Sequence, residues 1–162
     1  MGAQFNADEV FEMAERIERN GAAFYRKAAS AAAARAKDLF LRLAGMEDRH
    51  EKTFAAMRAG LSEAERTESV FDPEGQAAAY LQSLADDHVF DPKADPAARL
   101  TGKEAPADIL RTALGAERDS IAFYAGIREA IPARLGRARI EAIIREEMSH
   151  VTDLSRELAA LG

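Results

Sequence analysis

Apolar residues recur at alternating steps of three and four along four stretches of the chain, the spacing of a helix that buries one face. The first stripe runs Phe11, Ala14, Glu18, Gly21, Tyr25 and Ala28, and the second Phe40, Leu43, Glu47, His50, Phe54 and Met57. The third runs Leu110, Ala113, Glu117, Ser120, Tyr124 and Ile127, and the fourth Ile140, Ile143, Glu147, His150 and Leu154. The stripes predict helices over about 7–30, 38–59, 106–130 and 135–161. Asn6 and Glu9 have the spacing of a capping box, and Phe5 with Val10 that of a hydrophobic staple. Gly60 suits a C-terminal cap, and Pro106 and Pro132 bracket the third helix. The alanines at 31–36 read as a helix end or connector. Asn20-Gly21 is an ordinary turn signal, but the stripe keeps its phase through it, so the helix is expected to continue.

All five prolines fall after residue 72. Most of the Pro and Gly punctuation between the second and third helices lies in 61–105. Asp72-Pro73 and Asp95-Pro96 look like capping residues followed by first-turn prolines, and a short helix is expected at about 74–87. A connection of this length can carry the chain from one end of a bundle to the other. The expected fold is all-α: an antiparallel four-helix bundle, a single domain over 1–162, with a long crossover between helices 2 and 3.

Each apolar stripe is interrupted by a glutamate, and two of them also by a histidine three residues later. The interruptions repeat. Glu18 precedes Phe24-Tyr25 as Glu117 precedes Phe123-Tyr124, and Glu47 with His50 matches Glu147 with His150. Two units of two helices argue for a pseudo-two-fold bundle rather than a solenoid. Each glutamate lies near the middle of its helix, so all four can meet at one height. Glu and His three apart share a helix face.

Four carboxylates in an apolar core cannot all stay ionised without partners, because burial of an unpaired charge is costly and like charges raise one another's pKa. Two divalent cations would neutralise them and use both imidazoles as nitrogen donors. One Glu from each of two helices and Glu-x-x-His from each of two others is the ligand inventory of di-iron and di-manganese carboxylate bundles. Iron, manganese or zinc suits such donors. Tyr25 and Tyr124 either fill the core or hydrogen-bond a ligand carboxylate. Gly21 and Ser120, each three residues past a glutamate, are candidates for leaving space through which a small oxidant reaches the metals. His88, in Asp86-Asp87-His88, reads as a surface residue.

Composition narrows the chemistry. With no cysteine, the chain offers no disulfide, thiolate metal site or thiol nucleophile. A formal net charge of −6 disfavours nucleic acid and anionic membranes as partners. No apolar run is long enough to span a bilayer and no leader pattern opens the chain, so the cytoplasm is the expected location. No phosphate-binding glycine loop or nucleotide fingerprint is present.

At the segments AERIERNGAAFYRKAA, LFLRLAGMEDRHEKTF, LGAERDSIAFY and AIIREEMSHVTDL the chain resembles the rubrerythrin branch of the ferritin-like superfamily. The resemblance covers nearly the whole chain. It implies a ferritin-like bundle with two iron ions at its centre, held by Glu18, Glu47, His50, Glu117, Glu147 and His150. Spacing alone does not sort Glu47 and Glu117 into bridging and terminal ligands. The resemblance also implies a homodimer, sometimes with helix pairs exchanged, and Leu41 and Met46 are apolar residues left over for an outer face. Two departures bear on activity. Full rubrerythrins carry a four-cysteine rubredoxin domain, which this chain lacks, so electrons would come from an external donor. The family often has a further carboxylate one turn beyond the third-helix glutamate; that place here is Ser120, and the adjacent Asp119 points off the stripe. The leading expectation is a di-iron oxidoreductase that uses peroxide or dioxygen, by Fe(II) oxidation or peroxide reduction. The alternatives are a metal-binding or storage protein and a structural bundle.

Overall fold

The computed structural model describes residues 6–67, 76, 79, 80, 83 and 96–162. Its long helices are α1 (Ala7–Ala31) and α2 (Ala34–Ala59), then, after the short α3 (Glu63–Thr67), α4 (Pro106–Ala130) and α5 (Arg137–Leu161). Short 3₁₀ turns at Pro96–Arg99 and Ala133–Leu135 precede α4 and α5. No described residue lies in a strand. The all-α bundle expected from the stripes is the observed architecture.

The helix ends follow local chemistry. The Glu9 amide donates to Asn6 Oδ1 at 2.9 Å and the Asn6 amide donates to Glu9 Oε2 at 3.0 Å, so the capping box forms as expected. The Phe5 half of the staple lies outside the described residues, as do His88, Asp72-Pro73 and Asp95. Pro96 opens a 3₁₀ turn. Helix α1 runs unbroken through Asn20-Gly21. Gly60 caps α2 in the right-handed region (φ −79°), its amide donating to Ala56 O at 3.1 Å. The expectation for 31–36 is corrected in part: α2 begins at Ala34, four residues before the predicted start, and the break is confined to 32–33. Alanine favours helix wherever nothing stops it. Of the expected helix at 74–87, residues 76, 79, 80 and 83 are described and helical.

Two apolar clusters show how the helices run. One gathers the start of α1 (Val10, Phe11), the end of α2 (Phe54, Met57), the end of α4 (Tyr124, Ile127) and the start of α5 (Ile140, Ile143). The other gathers the end of α1 (Tyr25, Ala28), the start of α2 (Phe40, Leu43), the start of α4 (Leu110, Ala113) and the end of α5 (Leu154). Each helix is therefore antiparallel to its hairpin partner and to its counterpart in the other hairpin. The chain leaves α2 at the first cluster and enters α4 at the second, so the long connection spans the bundle's height. Tyr80 ties this connection to α4 by donating to Ala122 O at 2.9 Å. Between the two clusters lies a polar layer.

Candidate metal centre

Burial of the four stripes carries their polar interruptions inward. Glu18, Glu47, Glu117 and Glu147 are each at most 4% exposed, and His50 and His150 are equally buried. The six residues form two overlapping groups whose ligand atoms lie within 4.8 Å of one another: Glu18, Glu47, His50 and Glu147, and Glu47, Glu117, Glu147 and His150. Glu47 and Glu147 belong to both groups, a distinction that spacing along the chain left open.

The carboxylate oxygens divide accordingly. Glu147 Oε1 lies 3.0 Å from His50 Nδ1, while Oε2 lies 2.8 Å from His150 Nδ1. Glu47 Oε2 lies 3.4 Å from His50 Nδ1, and its Oε1 lies 3.3 Å from His150 Nδ1. Each of these two glutamates thus turns one oxygen to each half of the centre. Glu18 Oε2 lies 3.4 Å from His50 Nδ1, and Glu117 Oε1 lies 3.3 Å from His150 Nδ1. The imidazole rings stack with centroids 5.8 Å apart.

The tyrosines cross between hairpins. Tyr25 of α1 donates to Glu117 Oε1 of α4, and Tyr124 of α4 donates to Glu18 Oε1 of α1. Each ring packs in an apolar cluster, and each hydroxyl binds a buried carboxylate. Gly21 lies against the site, where an added Cβ would meet Glu47 Cγ at 3.5 Å. Ser120 is buried, and its hydroxyl donates to Ala116 O at 3.1 Å, back onto its own helix.

The electrostatics of the metal-free cluster are those of groups sharing protons. Burial, with the charges of Glu47 and Glu147, holds Glu18 well above the ordinary carboxylate range. Burial likewise raises Glu117, against the pull of His150. Burial opposes the charge on Glu47 too, but its close contacts with Glu18 and both imidazoles win and hold it low. For Glu147, burial and the Glu47 charge are outweighed by the two histidines. Burial alone would lower both histidines, yet the surrounding carboxylates raise His50 far above its ordinary value and push His150 up to about 12. Burial and the adjacent glutamates raise both tyrosines, so their hydroxyls keep their protons.

Five buried atoms of this layer have no hydrogen-bond partner: Nδ1 of His50, both carboxylate oxygens of Glu147, and both ring nitrogens of His150. Several lie within ion-pair range of one another without the alignment a hydrogen bond needs. Buried polar atoms are rarely left so. Inward-facing oxygen and imidazole donors, short of hydrogen-bond partners, are what a cation would satisfy, so the donor set fits two metal ions.

Stripe reasoning missed one residue in contact with the centre. Glu146, on α5, reaches across to α2, where its Oε2 lies 3.0 Å from His50 Nε2. Periodicity places it beside the seam, and no single-helix pattern reports a contact made to another helix.

No family profile matches the chain, and no curated protein matches it. Among solved structures, the chain is similar to a candidate ferritin-like diiron-carboxylate protein of Thermotoga maritima. The TM-score is 0.74, with 18% identity and all of both chains covered. At that identity the likeness shows the fold, which is ferritin-like. No described helix is long and apolar enough to cross a membrane.

Proposed function

We propose that the chain holds two metal ions, iron in the cell, in the polar layer of its bundle, and works as an oxidoreductase of the rubrerythrin-like kind on peroxide or dioxygen. The observation that carries this reading is the pair of overlapping buried groups that share Glu47 and Glu147. Glu18 and His50 would complete one site, Glu117 and His150 the other, and the two shared glutamates would bridge. When bound, a pair of iron ions supplies two electrons to an O–O bond, in Fe(II) oxidation or in peroxide reduction.

The protein's own part is to bind, orient and insulate. The hydroxyls of Tyr25 and Tyr124 fix Oε1 of Glu117 and Oε1 of Glu18; Glu18 turns its other oxygen to the centre, whereas Oε1 of Glu117 faces both its tyrosine and the centre. The apolar clusters above and below keep water away from the layer. Gly21 and Ser120, small residues one turn from Glu18 and Glu117, are the proposed way in for a small oxidant. With no cysteine in the chain, the electrons that return the centre to its reduced state come from a separate donor. The carboxylate and imidazole donors accept manganese or zinc as well.

Anaerobic loading with Fe(II), followed by elemental analysis and mixing with peroxide, tests the reading. Uptake of about two ions per chain, lost in Glu47→Ala, with rapid oxidation by peroxide, is the expected result. Large excess loading would point to storage. Absence of uptake would leave a structural bundle. Gly21→Leu should slow the oxidation step, and an unchanged rate would remove Gly21 from the access route.

A further inference from the structure

The six candidate ligands of the two halves match one for one, but the contacts made to the two imidazoles do not. His50 and His150 occupy equivalent positions, and each turns Nδ1 toward Glu47 and Glu147. Their far nitrogens differ. His50 Nε2 lies 3.0 Å from Glu146 Oε2, whereas His150 Nε2 is buried with no hydrogen-bond partner. Glu146 stands four positions before His150, and the residue four positions before His50 is Met46. The pseudo-two-fold axis thus relates a carboxylate to a thioether, which carries no charge and accepts hydrogen bonds only weakly.

The consequence follows from how imidazole binds a cation. A carboxylate that accepts from Nε2–H fixes the tautomer with its lone pair on Nδ1, holds the ring in place and makes it a better donor. Glu146 is placed for this, with its Oε2 at 3.0 Å from Nε2 and its side chain 47% exposed. His150 Nε2 has no such partner, so that ring is oriented only by packing and by the carboxylates around its Nδ1.

We propose that Glu146 is a positioning residue that makes the Glu18–His50 site the tighter of two unequal cation sites, so that it fills first, while Met46 leaves the Glu117–His150 site the weaker. This rests on the reading of the layer as a two-metal centre. Zn(II), which has no redox chemistry, is the probe. In metal-free protein given a single equivalent, ring ¹⁵N resonances of His50 should shift ahead of those of His150. Glu146→Met should weaken the first binding event about ten- to a hundredfold and abolish the order. Glu146→Gln, whose carbonyl still accepts from Nε2–H, should keep the order. Met46→Glu should tighten the second event by a similar factor. A purely structural Glu146 would shift the Tm of its variants without altering which ring responds first. If both rings respond together in the wild type, or if Glu146→Met keeps the order, the inference fails while the two-metal reading stands. If Zn(II) shifts neither ring, both fail.

Discussion

The hairpin of α1 and α2 and that of α4 and α5 present the same acids and imidazoles to the centre but are closed in different ways. The first turns through Ala32 and Ala33 alone. The second turns through 131–136, with a 3₁₀ turn at Ala133–Leu135 and a left-handed Gly136 at φ 100°. What the halves share is confined to side chains that face the polar layer: Glu18 and Glu117, Tyr25 and Tyr124, the two Glu-x-x-His pairs. What differs lies at the turns, on the surface and at the edge of the polar layer, where Met46 stands in place of Glu146 and Gly21 in place of Ser120. The seam is constrained by the chemistry of its polar layer, whereas a turn has only to reverse the chain.

The sharpest way to break the equivalence is at the glutamates. Glu47→Ala and Glu147→Ala, which touch both groups, should each abolish uptake of both ions. Glu18→Ala or Glu117→Ala should cost one ion and leave the other. Elemental analysis of the four variants decides this, and equal losses in all four would refute the assignment of shared and unshared ligands.

Metal itself gives the next largest effect. Loading should raise the Tm, by the equivalent of about 4 kcal/mol when free metal is a thousandfold above Kd. The increment should grow with pH. In metal-free protein the raised His150 contributes stability that is complete below about 6.5 and is lost as pH climbs through about 12, and the raised His50 acts in the same direction. Metal needs those nitrogens bare, and needs the protons of Glu18 and Glu117 removed as well. The Tm gap between loaded and chelator-treated protein should therefore widen from pH 6 to pH 8, and a gap that narrows would contradict the shared-proton picture.

Tyr25→Phe and Tyr124→Phe test the crossed hydroxyls. Each leaves a buried carboxylate oxygen without its donor and should cost about 1–3 kcal/mol in chemical denaturation. The two losses should be similar if the halves are equivalent at this level. The two helix-end glycines, Gly136 before α5 and Gly60 after α2, should respond unequally. Gly136→Ala forces a Cβ into the left-handed region, 2.8 Å from Met57 Cε, and should cost about 1–2 kcal/mol. Gly60→Ala, at an ordinary φ, should be close to neutral. The smallest effect lies at the outer end of the first hairpin. The Arg58 bond, aided by Arg66, holds Asp8 below its ordinary value. Its contribution is present above about 3.8 and is lost as pH falls further, so Asp8→Asn should flatten the acid limb of the stability curve slightly.

Much of this could be read from the chain because periodicity, proline placement and the doubled Glu-x-x-His motif all agree. The ends of α1 and α4 match expectation to within a residue. The start of α2 did not show in the sequence, because its N-cap is Ala33, which has no side-chain acceptor to announce a helix. The sharing of Glu47 and Glu147 depends on rotamers and helix azimuths, which spacing does not encode. Glu146 was hidden for a related reason: its partner is on another helix, and its own position lies just off the stripe. Leu41, expected on an outer face, is 48% exposed, whereas Met46 is half-buried.

Each apolar end of the bundle draws residues from all four long helices, so neither hairpin can complete a hydrophobic end by itself. Amide hydrogen exchange should accordingly find one cooperative unit with two slow-exchanging poles, and a fragment carrying a single hairpin should stay loosely packed until its complement is supplied.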